Sequence, residues 1–380
     1  MGARRVGIAI DLDWPIPHHQ SVVSGALKYG REKGWSCEID PFIGFPVAAS
    51  GRFDGVIGRV TRELASWAAR TRTPAVNVWT NSPNRKLPLV AVDYVAAGRL
   101  AAEHLGDRGL RNFGFLGREN DAGARLLLNG FRRTLSARGF SVDVLHVPGD
   151  TQDVESWIRL QRPLRRWVSS WRPPIGVLAS DDILARHLCN ACQHAGVRVP
   201  DDVAIVGSGN TLLLCDLLEP TISSLEHGYE RVGRRAAELL DALMDGQDTP
   251  GKPLLLPPSG VVSRRSSDMF AVDDPSVAAA LRAIWDGRGL SLKVSSVLQG
   301  IPTSRRTLER RFREVLGRTI HDEIRRAHVE QAKQLLVETR ESLKVVATRA
   351  GFSDPAQFSR VFRSCAGLTP QSYRRLHAGR

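Results

Sequence analysis

Shifted by 50 positions against itself, the C-terminal part of this 380-residue chain meets a second copy of one small unit. Arg310 falls on Arg360, Phe312 on Phe362, Arg313 on Arg363, Gly317 on Gly367 and Thr319 on Thr369, with Leu308 on Phe358 as a conservative match. Such a repeat confines the region to two copies of one supersecondary unit packed side by side. Each copy predicts a helix with a strong start. Ser304 caps the first and Asp354 the second, with Pro355 at the first helical position. At about 100° per residue, Leu308 and Phe312 share one face, as do Phe358 and Phe362, and these are the expected core faces. Opposite them stand Arg306, Arg310 and Arg313 in the first copy and Ala356, Arg360 and Arg363 in the second, flanked by Glu309 and Ser359.

A shorter helical stretch and a tight break precede each of these helices, in VSSVLQGIPTS and in LKVVATRAGFS. Helix, Gly-containing turn and capped second helix make a helix-turn-helix, whose second helix enters the major groove of double-stranded DNA. The expected contact set is Arg305, Arg306, Glu309, Arg310 and Arg313 in the first copy and Ala356, Gln357, Ser359, Arg360 and Arg363 in the second. Arg306, Arg310 and Arg360 suit bidentate contact with guanine, whereas Arg313 and Arg363, further along each helix, suit phosphates. The charge agrees with this reading. Residues 281–380 carry 20 Lys+Arg against 9 Asp+Glu, while residues 1–280 carry 33 against 31. Of the net charge of +13, +11 therefore sits on the unit that would meet a polyphosphate.

The first 260 or so residues follow another rule. Short apolar runs (RVGIAI, DGVIG, PAVNVW, PLVAVD, NFGFLG, SVDVLHV, IGVLAS, VAIVGS) alternate with longer helical patterns, which predicts parallel βαβ units in a doubly wound α/β body. After Pro257 and Pro258 a Ser/Arg run marks an exposed connection, strand signals stop, and the remainder reads as all-α. The expected organisation is an α/β body over 1–265, a linker over 266–276 and the helical reader over 277–380. The apolar run Val6–Ile10 is too short for a signal peptide and fits a buried first strand. Five scattered cysteines argue against a disulfide framework. A cytoplasmic protein without a membrane partner is expected.

At the C-terminus, the connecting-helix pattern Ala332, Leu335, Leu336, the A-G-F-S turn and the G-x-T-P-x-x-Y-R ending resemble the AraC/XylS-family DNA-binding domain. That resemblance implies two helix-turn-helix units joined by one long helix. In the body, LVAVDYVAAGRLAAEHLGDRGLRNFGFLG, IGVLASDDILARHLCNACQHAGVRVPDDVAIVGSGN and TISSLEHGYERVGRRAAELLDALMDG resemble the sensor of LacI-type regulators. This implies a two-lobed, periplasmic-binding-protein-like fold of doubly wound parallel sheets, with a ligand between the lobes at the strands' C-terminal ends. A LacI-type sensor followed by an AraC-type reader is the arrangement of XylR-type xylose-operon regulators. It implies a homodimer on promoter DNA, controlled by a sugar such as xylose and using no cofactor. It leaves open whether the regulator represses or activates, in which case RNA polymerase is a further partner.

By position in the family, Asp93 and Asp181 match polar effector contacts, and the turn Trp14 to Gln20, with His18, would line the cleft. Arg125 and Asn210 complete the expected effector set. Three places depart from the pattern: Gly209 where relatives carry Asp, Leu127 or Leu128 where an Arg is usual, and Gln20 where XylR-like sequences tend to carry Arg. Buried substrate hydroxyls need partners, so the effector stays open between a pentose and another small molecule.

HLCNACQH suggests a metal site, but on one helix Cys189 and Cys192 share a face while His187 and His194 point away, so two core thiols are the expectation. Asp181-Asp182 reads as a ligand contact and a helix cap rather than a catalytic pair. No phosphate-binding Gly-rich loop, G-x-S-x-G or H-E-x-x-H occurs, and no catalytic constellation is legible. An enzyme with a DNA-binding adaptor is a third reading, and would require an activated cysteine.

Overall fold

The computed structural model describes residues 3–12, 17–45, 52–149, 154–248, 251–269, 271–272, 274–366 and 368–377. In chain order the elements of the body are β1 (Arg5–Ala9), α1 (Pro17–Glu32), β2 (Ser36–Ile39), β3 (Gly55–Gly58), α2 (Arg62–Thr71), β4 (Ala75–Asn77), β5 (Val90–Val92), α3 (Tyr94–Gly106), β6 (Asn112–Arg118), α4 (Ala122–Ser136), β7 (Asp143–Val147), α5 (Val154–Ser169), β8 (Ile175–Ala179), α6 (Asp182–His194), β9 (Val203–Ser208), α7 (Leu212–Cys215), β10 (Ser223–Glu226), α8 (Tyr229–Met244), β11 (Leu254–Leu256) and β12 (Gly260–Val262). A short 3-10 turn, Arg265–Ser267, closes it. The helical remainder holds α9 (Pro275–Asp286), α10 (Val294–Val297), α11 (Arg305–Leu316), α12 (Ile320–Glu338), α13 (Leu343–Arg349), α14 (Pro355–Ala366) and α15 (Pro370–His377).

Two sheets make two lobes. In the first the order is β2-β1-β3-β4, all parallel, with the parallel pair β5 and β11 joined to it by a bridge between Asn77 and Leu89. The second has the order β12-β10-β9-β8-β6-β7, parallel except for β10 against β12. The chain crosses between lobes three times: after β5, after β10, and between β11 and β12. Each lobe packs one tight helix pair through glycines that admit a neighbouring backbone. A Cβ at Gly233 of α8 would lie 1.8 Å from the Val22 carbonyl of α1, and one at Gly98 of α3 would lie 2.0 Å from the Leu127 carbonyl of α4. Any side chain there would force the helices apart.

The body therefore has the two-lobed α/β architecture, and all eight strands read from apolar runs are present. β2, β10, β11 and β12 were not legible as such runs. The cleft-side turn expected over Trp14 to Gln20 is corrected for its described part: α1 opens at Pro17, a residue whose fixed φ suits the first helical position, so His18 and Gln20 lie in a helix. Trp14 lies outside the described residues.

In the reader, α12 serves two cores. Ile320, Ile324 and Ala327 pack with Leu308 and Phe312 of α11 and with Leu281 and Ile284 of α9. Val329, Ala332, Leu335 and Leu336 pack with Phe352, Phe358, Phe362 and Tyr373. Thr319 and Asp322 form a capping box at its start. The repeat is structural as well: Thr369, the counterpart of Thr319, accepts from Ser372 N at 3.1 Å at the start of α15. Gly317 ends α11 in the left-handed conformation, and its counterpart Gly367 lies outside the described residues.

Candidate nucleic-acid interface and interlobe cleft

The second helix of each unit starts as its sequence demands. Ser304 Oγ accepts from Thr307 N at 3.2 Å, and Asp354 accepts from Ala356 N and Gln357 N, each at 3.0 Å. Those two backbone donors hold the Asp354 carboxyl below its ordinary pKa, with Arg360 adding to the effect. Leu308, Phe312, Phe358 and Phe362 are buried, and Arg305, Arg306, Arg310, Arg313, Ala356, Ser359, Arg360 and Arg363 are exposed. Glu309 and Gln357 are half-buried. Within α11 two arginines are pre-paired: Arg305 Nε donates to Glu309 at 2.9 Å, and Arg310 donates to both oxygens of Glu314 at 2.8 and 3.0 Å. Glu314 had no place in the sequence-derived set. Its signal was available, since Arg and Glu four apart on a helix meet.

In the body, the C-terminal ends of the parallel strands of both lobes deliver polar and aromatic groups. Arg118, at the end of β6, donates to Asp181 at 2.7 Å and to the Gly149 carbonyl at 3.0 Å. Asp181 also caps α6, accepting from Leu184 N at 2.8 Å. Asp93 caps α3 through Ala96 N at 2.9 Å. The Arg59 guanidinium lies over the Trp79 ring, 4.5 Å from its centroid. His18 stacks on Tyr229 at 4.5 Å, and the Tyr94 and Tyr229 hydroxyls stand 3.3 Å apart. Burial pushes His18 and His227 down to about 3 and Tyr94 up to about 12, so this cluster is uncharged at neutral pH. Asn81 Oδ1, from the first lobe, accepts from Ala122 N of the second at 2.6 Å, so the lobes touch.

Asn210 lies just past β9 and donates through Nδ2 to Glu226 at 2.9 Å, while its Oδ1 is buried with no hydrogen-bond partner among the described residues. Gly209 before it has φ +126° and Asn210 itself φ +54°. A backbone of that shape excludes most side chains, which gives Gly209 a local reason for its place. Leu127 and Leu128 belong to the core between α3 and α4, so the departure there is a core residue. Arg125 and Gln20 are exposed. The cap of α6 is Asp181 and not Asp182. Asp182 is buried, accepts from Ser224 Oγ at 2.5 Å and Thr211 N at 2.8 Å, and burial raises its pKa. Cys189 and Cys192 sit in the core, and no group of three metal-ligating side chains assembles among the described residues. Burial raises the thiols of Cys189 and Cys215 to about 12.

Two family models match the chain: a periplasmic binding protein-like domain over residues 102–267 and a helix-turn-helix domain over residues 300–376. The xylose operon regulatory protein of Haemophilus influenzae is 32% identical over 296 residues, covering 76% of this chain and 74% of the relative. Its namesake in Escherichia coli K12 is 31% identical over 288 residues, covering 75% and 73%. Among solved structures, one described as the xylose-binding transcription activator xylR superposes over 100% of this chain and 99% of its own, with a TM-score of 0.61 and 26% identity. The regulator CelR, solved with cellobiose, shares the fold of the body, with a TM-score of 0.59 and 21% identity over 70% of this chain and 86% of its own. The chain belongs to the xylose operon regulatory protein family: it is a DNA-binding transcription regulator whose periplasmic-binding-protein-like body is its sugar-responsive part.

Proposed function

We propose that this regulator controls a pentose-catabolism operon, binds D-xylose between its lobes, and reads promoter DNA with α11 and α14. One observation carries the reading: a single chain joins two capped, arginine-faced helices on one connecting helix to a two-lobed body whose strand ends converge on polar and aromatic groups. A polyol needs donors and acceptors in pairs and an aromatic face. Asp93, Asp181, Arg118 and Asn210 supply the former, and Trp79 and the His18–Tyr229 stack the latter. The sensor takes residues 1–265, the linker 266–276 and the reader 277–380. The protein works in the cytoplasm as a homodimer formed through the sensor, for which Leu212, Leu213, Leu217 and Leu218, all exposed around α7, offer an apolar surface. RNA polymerase is a partner when it activates. The thiols raised by burial favour this reading over an enzyme built on an activated cysteine.

Gly209, together with the exposed positions of Arg125 and Gln20, favours a second reading in which the cleft takes another small polyol or sugar acid. Calorimetry with D-xylose, L-arabinose, hexoses and sugar acids decides between them. Micromolar heat of binding for D-xylose is expected, and binding of another member of the panel in its place would replace the effector and leave the DNA function intact.

A further inference from the structure

Among the described residues, hydrogen bonds and ion pairs fasten the reader to the body at two places in addition to the covalent connection. The first is Asp107, at the C-terminal cap of α3 in the second lobe. Its carboxylate pairs with Arg326 of α12 and lies 3.6 Å from Arg138 in the turn after α4, and its carbonyl accepts from Arg318 at 3.1 Å. Arg318 also binds Glu323 at 2.5 Å, and that fully buried carboxylate takes the Trp285 indole N–H at 2.8 Å. This fastening therefore grips the polar support of the first helix-turn-helix core.

The second lies at the hinge. Tyr373 of α15 packs its ring against Phe362 in the second core, and its hydroxyl donates to the Ser259 carbonyl at 2.6 Å. Ser259 belongs to the crossing between β11 and β12. Its N–H donates to the Glu226 carbonyl at 2.7 Å, and its Oγ accepts from Arg231 of α8 at 3.1 Å. Arg231 also holds the Pro257 carbonyl at 2.8 Å. The Glu226 carboxylate takes Gly228 N at 2.7 Å and Asn210 Nδ2 at 2.9 Å. A run of hydrogen bonds thus leads from Asn210, in the proposed effector set, to a hydroxyl on the last helix of the reader.

The two fastenings stand on different parts of the body, one within the second lobe and one in a crossing between the lobes. Asp107 ends a helix of the second lobe, whereas Ser259 lies in the crossing itself, bonded through its N–H to β10 of the second lobe and through its Oγ to α8 of the first, the helix packed on α1. We propose that the reader is clamped across the sensor hinge, by Arg318 and Arg326 on Asp107 and by Tyr373 on Ser259, and that lobe rotation acts on DNA binding by shifting the second point against the first. The inference rests on the effector reading given above only for the identity of the ligand. Tyr373 and Asp107 are positioning residues: neither belongs to the DNA-contacting set. Their effect is a coupling between sites, which requires that ligand and DNA favour one docked geometry.

The test uses the full chain with Cys37→Ser, a spin label on the exposed Cys365 of the reader and another on Arg132→Cys of α4 in the second lobe. Without sugar, a narrow distance distribution is expected. It should broaden in Tyr373→Phe, which keeps the ring, and more in Tyr373→Phe/Asp107→Asn, with the helical circular dichroism unchanged. An unchanged narrow distribution in the double variant overturns the clamp. In a second arm, DNA affinity for the promoter fragment is measured with and without D-xylose. A wild-type response of about tenfold should fall below about twofold in Tyr373→Phe, while calorimetric D-xylose affinity holds. A full response in that variant also overturns the proposal. A wild type that ignores D-xylose removes that effector, and the label distances still decide the clamp.

Discussion

Arg310 and Arg360 occupy the same place in two copies of one unit, yet they are not equivalent. Arg310 is held along its helix by Glu314, whereas Arg360 stands beside the helix-capping Asp354. Bidentate guanine contacts contribute about 1–3 kcal/mol of discrimination each. Arg310→Ala and Arg360→Ala should therefore each weaken binding to the selected promoter site about tenfold or more at fixed salt, while Arg313→Ala should lower the slope of log affinity against log salt by about one. Gel-shift titrations over a salt series measure both, and unchanged specific affinity in the first two variants refutes two-helix reading. In the sensor, burial holds His227 at about 3, far below the ordinary value of 6.5. The unfolded chain binds a proton there that the folded one does not, so this group leaves stability intact above pH 6.5 and lowers it as the pH falls from about 6.5 towards 3. The slope is about 1.4 kcal/mol per pH unit per proton. Denaturant titrations at pH 7, 6 and 5 should show a shallower acid loss in His227→Gln, and an identical slope would remove His227 from the account. Residues of this kind were only partly legible. Caps and core faces of the recognition helices follow from spacing, but of the pair read as ligand contact and helix cap it is Asp181 that caps α6, while Asp182 is a buried tie between Ser224 and Thr211, because adjacent strand-end carboxylates diverge and only one can reach the cap.

At the scale of elements, the long runs were legible and the polar or short ones were not. β10 is Ser223–Glu226, buried although two of its residues are serines, because Ser223 and Ser224 find partners in Arg264, Ser266, Ser267 and Asp182. Hydrophobic periodicity cannot register a strand whose burial is licensed by hydrogen bonds. β11 and β12 have three residues each, and β12 is an edge of its sheet. The reader was legible because its repeat, caps and apolar faces agree. Its two recognition helices differ in chemistry: α11 offers Arg306 where α14 offers Ala356. Exchanging base pairs under α11 should therefore cost more affinity than the matching exchange under α14. Systematic substitution across the two half-sites measures this, and equal or reversed losses contradict the ranking. With 19 residues, α12 spans about 28 Å at 1.5 Å per residue and carries the cores of both helix-turn-helix units along one rod.

At the scale of the molecule, charge and architecture divide the work. A nearly neutral two-lobed body carries the cleft, and a reader of net +11 carries the DNA contacts. The body's fold was legible from the alternation of strand and helix. The cleft was legible in position but not in membership: Tyr94 and Tyr229, 135 positions apart, meet only through the lobe crossings, and the Arg59–Trp79 pair joins two loops of the first lobe that carry no shared periodicity. The docking of reader on body, through Asp107 and Ser259, had no sequence signal at all, since a single ion pair and one hydroxyl leave no periodic trace. What unites the parts is the claim that a sugar held between the lobes changes how the reader meets DNA. Titrating the promoter fragment with the full-length protein at fixed salt, with and without saturating D-xylose, tests it most directly. The account predicts a change in affinity of about fivefold or more; identical binding curves, from a protein that calorimetry shows to be loaded with the sugar, would contradict it.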